Sequence, residues 1–138
     1  MNHPMIDPEN TSNATDWIYV LHDDKEPSVI RYDNFVRQLF RADTEREMKW
    51  HAVGGICGEA GELMDCVKKE LAYRKPIDRK NIVEELGDLR FYMRAVQNLY
   101  GISDQEVLQE NANKLSTRYK NLTYSDVAAA ERADKGPK

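Results

Sequence analysis

The sequence predicts an all-α protein, a four-helix bundle between two flexible tails. Apolar side chains recur at helical spacing between about residues 33 and 122, and no alternating strand pattern interrupts them. Short connections between the helices favour a bundle. With 138 residues the chain has the length of one domain. We divide it into an N-terminal arm (1–31), a helical domain (32–122) and a C-terminal tail (123–138).

The composition narrows the function classes. Hydrophobic residues make up 41% of the chain and charged residues 32%, which is a globular balance. No segment approaches the ~20 consecutive apolar residues of a transmembrane helix, so we expect no membrane partner. A net charge of -4 argues against a nucleic-acid partner, which requires a basic surface. The N-terminus has no signal-peptide pattern, so we expect a cytoplasmic protein, either bacterial or in the host cytoplasm if phage-encoded.

The two cysteines, Cys57 and Cys66, lie nine residues apart in one predicted helix. At about 100° per residue their side chains point to opposite faces, so they cannot pair within the helix. Free thiols suit a reducing compartment.

Capping patterns set the ends of the predicted helices. A first helix spans about 33–41, and Thr44 with Glu47 forms a capping box that opens a second helix to about residue 73. Four glycines interrupt this helix at about 1 kcal/mol each, so close packing or a close ligand must compensate. These are Gly54, Gly55, Gly58 and Gly61.

The second and third helices are predicted to form an antiparallel hairpin. Pro76 ends the second helix, Asp78 is an N-cap for the third, and Gly101 ends it near residue 100. Ser103 with Glu106 opens a fourth helix to about residue 122.

Two carboxylate pairs lie on this hairpin. Glu59 with Glu62 and Glu85 with Asp88 are each spaced i, i+3, which places both acids on one helix face. Glu59 and Glu85 lie about 90° and 60° from the centres of their apolar stripes, at the margin of the core, while Glu62 and Asp88 lie further out. If the turn centres on Lys75, the pairs stand at one height and all four acids can converge.

Four crowded carboxylates repel one another unless a cation neutralises them. Oxygen-only ligands favour Mg²⁺, with Mn²⁺ as a substitute, over zinc. A di-iron centre is disfavoured, because it requires Glu-x-x-His pairs and no histidine here stands three residues after a glutamate.

Further side chains are candidates for contacts to a ligand. Asn111, Lys114 and Arg118 share one strip of the fourth helix, where a donor-rich surface suits phosphates, although a solvated surface is the alternative. Three aromatic side chains near the acids could hold a base, although core packing is the commoner role of such residues. They are Trp50, His51 and Tyr92.

The segments GEAGELMDCVKK, EELGDLRFYMRA and NANKLSTRY resemble the MazG-like branch of the all-α nucleoside triphosphate (NTP) pyrophosphohydrolases, over roughly residues 32–122. This resemblance implies that the four acids bind Mg²⁺, with Glu59 and Glu62 catalytic. Some relatives carry a further acid where this chain has Gly58. Glu62 is therefore favoured for activating water.

The implied reaction is hydrolysis of a (deoxy)nucleoside triphosphate to the monophosphate and pyrophosphate, by a homodimer or homotetramer. Two alternatives stay open. One is a phosphoribosyl-ATP pyrophosphohydrolase of the same fold, and the other is a non-catalytic helical interaction module.

Overall fold

The computed structural model describes residues 16–23 and 25–136 and confirms the all-α class, with the addition of one small β-hairpin. Within the described residues, no helix combines the length and apolar composition needed to cross a membrane. The elements, in chain order, are β1 Trp17–His22, β2 Lys25–Arg31, α1 Tyr32–Leu39, α2 Glu45–Leu71, α3 Arg79–Tyr100, α4 Asp104–Arg118, a 3₁₀ turn Lys120–Leu122, α5 Asp126–Glu131 and a 3₁₀ turn Ala133–Lys135.

The β-hairpin occupies the segment predicted as an irregular arm. Its strands are antiparallel, with Trp17 opposite Arg31 and Ile18 opposite Ile30. Aromatic and β-branched residues favour strands. The sequence pattern did not reveal β1 because residues 17–21 are apolar at every position, so the alternation that marks a half-buried strand is absent.

The chain divides into two compact units, one ending at Tyr100 and the other beginning at Gly101. In the first unit α1 packs on α3, and the Asn98 side chain donates a hydrogen bond to the backbone oxygen of Asp33 (3.0 Å). A small buried cluster joins α1, α2 and α3. Its members are Val36, Phe40, Ala52 and Ala95.

The α2–α3 hairpin forms as predicted. The capping box is present: the Thr44 hydroxyl accepts from the Glu47 backbone N–H (3.2 Å), and the Glu47 carboxylate accepts from the Thr44 N–H (3.0 Å). Asp78 caps α3 by accepting from the Asn81 N–H (3.1 Å). Asn81 also donates to the Cys66 sulfur across the hairpin (2.8 Å). Both cysteines carry free thiols, Cys57 exposed and Cys66 buried.

The second unit begins with α4, whose N-cap is Ser103, as predicted. Its helix ends at Arg118, before the expected 122, because Tyr119 leaves the helical conformation (φ -112°, ψ 90°), and Asn121 and Leu122 then adopt positive φ angles of 55° and 54°. A further short helix, α5, lies in the segment predicted as a tail.

Candidate metal centre

Three carboxylates come together where α2 and α3 face each other. One oxygen each from Glu59, Glu85 and Asp88 lies within 4.8 Å of the others. Glu59 and Glu85 are partly buried and Asp88 is exposed. The hairpin produces this group, because its antiparallel helices bring residues about equally distant from the turn to one height.

The structure places Glu62 outside this group, although the spacing predicted that all four acids converge. Glu62 is exposed and lies about 60° round α2 from Glu59. It is still an electrostatic neighbour. The pKa of Glu85 is raised, first by loss of hydration and then by the negative charges of Glu62, Glu59 and Asp88. The charge crowding expected from the sequence is therefore present.

The donor set fits a hard divalent cation. Oxygens that coordinate one Mg²⁺ in octahedral geometry lie about 3–4 Å apart, so small side-chain rotations would bring these three carboxylates to such a site. All three ligands are carboxylate oxygens, the class that Mg²⁺ and Mn²⁺ prefer. Exposure of Asp88 leaves one side of the group open to water and to other oxygen ligands.

Tyr32, at the start of α1, was not among the residues that the sequence predicted to lie near the acids. Burial raises the pKa of its hydroxyl, the charges of Arg90 and Arg94 lower it, and Asp88 raises it. Tyr32 therefore lies within electrostatic reach of Arg90, Arg94 and Asp88. Helical spacing alone could not show this, because it depends on how α1 packs on α3.

The three aromatic candidates separate into two places. His51 and Tyr92 belong to a ring cluster with Phe40, and their centroids lie 5.6 Å apart. Tyr92 also packs against Gly55, where an added methyl group would overlap its ring. Trp50 instead lies 73% exposed beside Tyr100, on another side of α2.

The phosphate candidates Asn111, Lys114 and Arg118 all lie on α4, in the second unit. Asn111 and Lys114 are exposed. Arg118 donates two hydrogen bonds to Asp134, with Nε–Oδ1 and Nη2–Oδ2 distances of 2.7 and 2.9 Å. A carboxylate thus occupies the face of the guanidinium that would receive a phosphate.

Two antiparallel helices that gather three carboxylates define a class: an all-α protein with an oxygen-ligand site suited to a divalent cation. The model of the MazG nucleotide pyrophosphohydrolase domain family matches residues 51–123. This segment is just over half of the chain and holds all four acids. The chain belongs to this family, which confirms the resemblance seen in the sequence.

A similar protein is the Gene 37 protein of Mycobacterium phage L5, 35% identical over 68 residues. The matched segment covers 46% of this chain and 60% of that relative, so the chain spans less than two thirds of the relative's length. No solved structure matches the chain.

Proposed function

We propose that this protein hydrolyses a nucleoside triphosphate to the nucleoside monophosphate and pyrophosphate, and that it requires Mg²⁺. Membership of the family indicates nucleotide pyrophosphohydrolase chemistry. The observation that carries the proposal is the approach of Glu59, Glu85 and Asp88 to within 4.8 Å on facing helices. Charge repulsion disfavours such crowding of carboxylates on a solvated acidic surface, whereas a cation site requires it.

Glu59, Glu85 and Asp88 are the residues that would hold the cation. When bound, Mg²⁺ supplies positive charge beside the phosphate oxygens and lowers the pKa of water. Exposed Glu62 stands beside this group, and a carboxylate oxygen of Glu62 accepts a proton from the attacking water. The water oxygen bonds to the α-phosphorus, the bond from that phosphorus to the bridging oxygen breaks, and pyrophosphate leaves.

His51 and Tyr92 are the better-supported residues for holding the base. Tyr92 follows Asp88 by four residues, and its ring packs on Gly55, four residues before Glu59. The Tyr92 ring therefore lies about one helical turn, roughly 5.4 Å along the helix axis, from the acids, and His51 lies about two turns before Glu59. That offset suits a nucleotide whose phosphates reach the carboxylates. Trp50 lacks this relation to the acids.

Asn111, Lys114 and Arg118 remain the proposed ligands of the outer phosphates. Their amide and cationic groups suit phosphate oxygens. Arg118 contributes only when its pair with Asp134 opens.

Product analysis tests the reaction. The protein is incubated with each of the eight common ribo- and deoxyribonucleoside triphosphates and Mg²⁺, and the products are separated by ion-exchange chromatography. We expect monophosphate and pyrophosphate from at least one substrate. Diphosphate with orthophosphate would show that the cleavage position is wrong.

The same assay separates the alternatives. Phosphoribosyl-ATP is included as a further substrate. A phosphoribosyl-ATP pyrophosphohydrolase would hydrolyse it in preference to the nucleoside triphosphates. A non-catalytic module would leave every substrate intact and would show no Mg²⁺-dependent change in thermal stability.

We also propose that the working form is a homodimer or homotetramer in a reducing cytoplasm. Both cysteines are free thiols, which suits that compartment. Large apolar side chains remain exposed along α2 and α3, which suits assembly.

A further inference from the structure

After α4 ends, residues 119–136 turn back towards that helix, and we call them the returning segment. Asp134, near the end of the segment, accepts hydrogen bonds from Nε and Nη2 of Arg118, the last residue of α4, at 2.7 and 2.9 Å. The Asp134 side chain is 2% exposed and that of Arg118 is 15% exposed. The two side chains thus shield each other from water where the last 3₁₀ turn meets α4.

The Asp134 carboxylate reproduces the way in which a phosphate group meets arginine. Arginine binds carboxylate and phosphate alike, through two parallel N–H groups of its planar fork. Both Asp134 oxygens occupy that fork on Arg118. A second guanidinium, that of Arg132, lies 3.8 Å from Oδ2 of the same carboxylate. The surroundings of Asp134 therefore have the charge and the donors of an anion site, and the chain fills this site with its own side chain.

The other two phosphate candidates on α4 are open to solvent. Asn111 and Lys114 are both exposed. Lys114 and Arg118 are spaced i, i+4 and are therefore neighbours on the helix surface. A chain of phosphates that reaches Lys114 is next to Arg118, but there it meets the negative charge of Asp134, which repels it. The returning segment thus closes one end of a strip that is otherwise accessible.

The returning segment is held weakly enough to leave α4. None of the described residues of the second unit, 101–136, is buried. Asn121, Leu122 and Arg132 have φ angles of 55°, 54° and 52°, in the left-handed region that is unfavourable for most residues other than glycine. Segments with few buried contacts open locally at a much lower free energy than the whole fold. An anion that competes for Arg118 can therefore displace the segment.

We propose that the returning segment is autoinhibitory: Asp134 occupies the phosphate position on Arg118, and a polyphosphate group displaces it. The inference rests on the proposed role of Arg118 as a ligand of the outer phosphates. In the closed form Arg118 is neutralised by Asp134, and in the open form it joins Lys114 and Asn111. The measured dissociation constant for a polyphosphate then equals the intrinsic constant divided by the fraction of open molecules.

Isothermal titration calorimetry of the full chain with inorganic tripolyphosphate tests the proposal. Metal is omitted, so that no cation bound at the metal centre contributes to the affinity. We expect Asp134→Asn to bind tripolyphosphate about tenfold more tightly than the wild type, the ratio for a wild type that is closed in about nine molecules out of ten. Unchanged or weaker binding would show that the ion pair only supports the structure, and this result overturns the proposal.

Glu131→Gln is the matched control. Glu131 lies on α5 within the returning segment and is exposed, and its replacement also removes one negative charge. This variant should bind tripolyphosphate as the wild type does, because Arg118 stays paired with Asp134. A gain in affinity equal to that of Asp134→Asn would attribute the effect to net charge and would contradict the proposal.

A second background separates the inhibition from the phosphate assignment. Arg118→Gln and Arg118→Gln/Asp134→Asn should bind tripolyphosphate equally, since the group that Asp134 blocks is gone. A gain that persists without Arg118 overturns the proposal. If Asp134→Asn matches the wild type but loses affinity when Arg118→Gln is added, Arg118 binds phosphate and the segment does not inhibit it. Because tripolyphosphate binding is measured without turnover, absence of NTP hydrolysis leaves these outcomes unchanged.

Limited proteolysis of the wild type tests the displacement without any substitution. Trypsin cleaves after arginine, and in the closed form Arg132 is held beside Asp134. Saturating tripolyphosphate should release the segment and increase the rate of cleavage after Arg132 several-fold. Mass spectrometry of the released peptide 133–138 measures this rate. Cleavage that is unchanged or slowed by tripolyphosphate would show that the segment stays on α4 and would overturn the proposal.

Discussion

Gly55 and Gly87 lie inside helices but have different surroundings. A methyl group at Gly55 would overlap the Tyr92 ring, whereas at Gly87 it would meet nothing within 4 Å. We expect Gly55→Ala to destabilise the fold by about 1–3 kcal/mol through overpacking. Gly87→Ala should stabilise it by up to about 1 kcal/mol through helix propensity. Urea denaturation monitored by circular dichroism measures both, and effects of the same sign would contradict the packing at Gly55.

Glu84 and Glu85 provide a matched pair for the metal centre. Glu85 belongs to the three-carboxylate group, while its neighbour Glu84 lies outside it and pairs with Lys80 at 3.6 Å. We expect Glu85→Gln to reduce Mg²⁺-dependent turnover about 100-fold or more, because a cation ligand is lost. Glu84→Gln should keep activity close to that of the wild type. Equal losses of activity in steady-state assays would show that turnover depends on the overall negative charge of this surface and not on the three-carboxylate group.

At the same scale, sequence reasoning recovered most of the acidic group but not its surroundings. The i, i+3 spacing and the turn at Lys75 predicted the convergence of Glu59, Glu85 and Asp88, because both are fixed by helix geometry. Whether Glu62 points towards α3 depends on the rotation of α2 against its neighbour. The environment of Tyr32 depends on where α1 packs, which no local pattern encodes.

At the scale of elements, helix starts were predicted well and the other features less so. The side chains of Thr44, Asp78 and Ser103 cap helices where the sequence indicated, since a cap is a local hydrogen bond. The β1–β2 hairpin was missed because a continuous apolar run carries no period. The early end of α4 depends on the extended backbone of Tyr119, which positive φ angles follow at Asn121 and Leu122, and neither tyrosine nor leucine gives a signal for such a break.

The ion pair between Arg118 and Asp134 joins α4 to the second 3₁₀ turn. Arg118 lowers the pKa of Asp134 to about 2, and Arg132, 3.8 Å away, adds a smaller effect. A carboxyl group whose pKa is lowered in the folded state stabilises the fold at pH values above its ordinary pKa of about 3.9. This stabilisation is lost as the pH falls towards 2. We therefore expect wild-type stability to fall between pH 4 and pH 2 more steeply than that of Asp134→Asn.

Thermal melts of both proteins across that pH range measure the difference. Arg118 and Arg132 stay charged throughout, so the titrating partner of this cluster is Asp134. Asp126→Asn, on α5, is the control, because Asp126 accepts its hydrogen bond from Tyr124, whereas Arg118 and Arg132 pair with Asp134. Parallel curves for the wild type and Asp134→Asn would show that the ion pair adds nothing to stability.

At the scale of the whole molecule, the two sides of the α2–α3 hairpin have different chemistry. One side gathers carboxylates and the other exposes apolar side chains. The apolar spacing along α2 did not separate these two sides in the sequence, because residues that contact α3 and residues that face outward are both apolar. Only the packed hairpin separates them, and this separation allows assembly and cation binding to be tested independently.

Cation binding should therefore change global stability in a way that depends on the acidic side alone. Mg²⁺ bound only by the folded state raises the free energy of unfolding by about 2.7 kcal/mol at 100 times its dissociation constant. Without metal, Glu85→Gln should melt above the wild type, because one of the repelling charges is gone. With Mg²⁺ the wild type should gain stability, and the variant should gain little.

Differential scanning calorimetry with and without Mg²⁺ measures both shifts, with Glu84→Gln as the control. Equal Mg²⁺ shifts in all three proteins would place the binding site elsewhere, and no shift in any would favour the non-catalytic module.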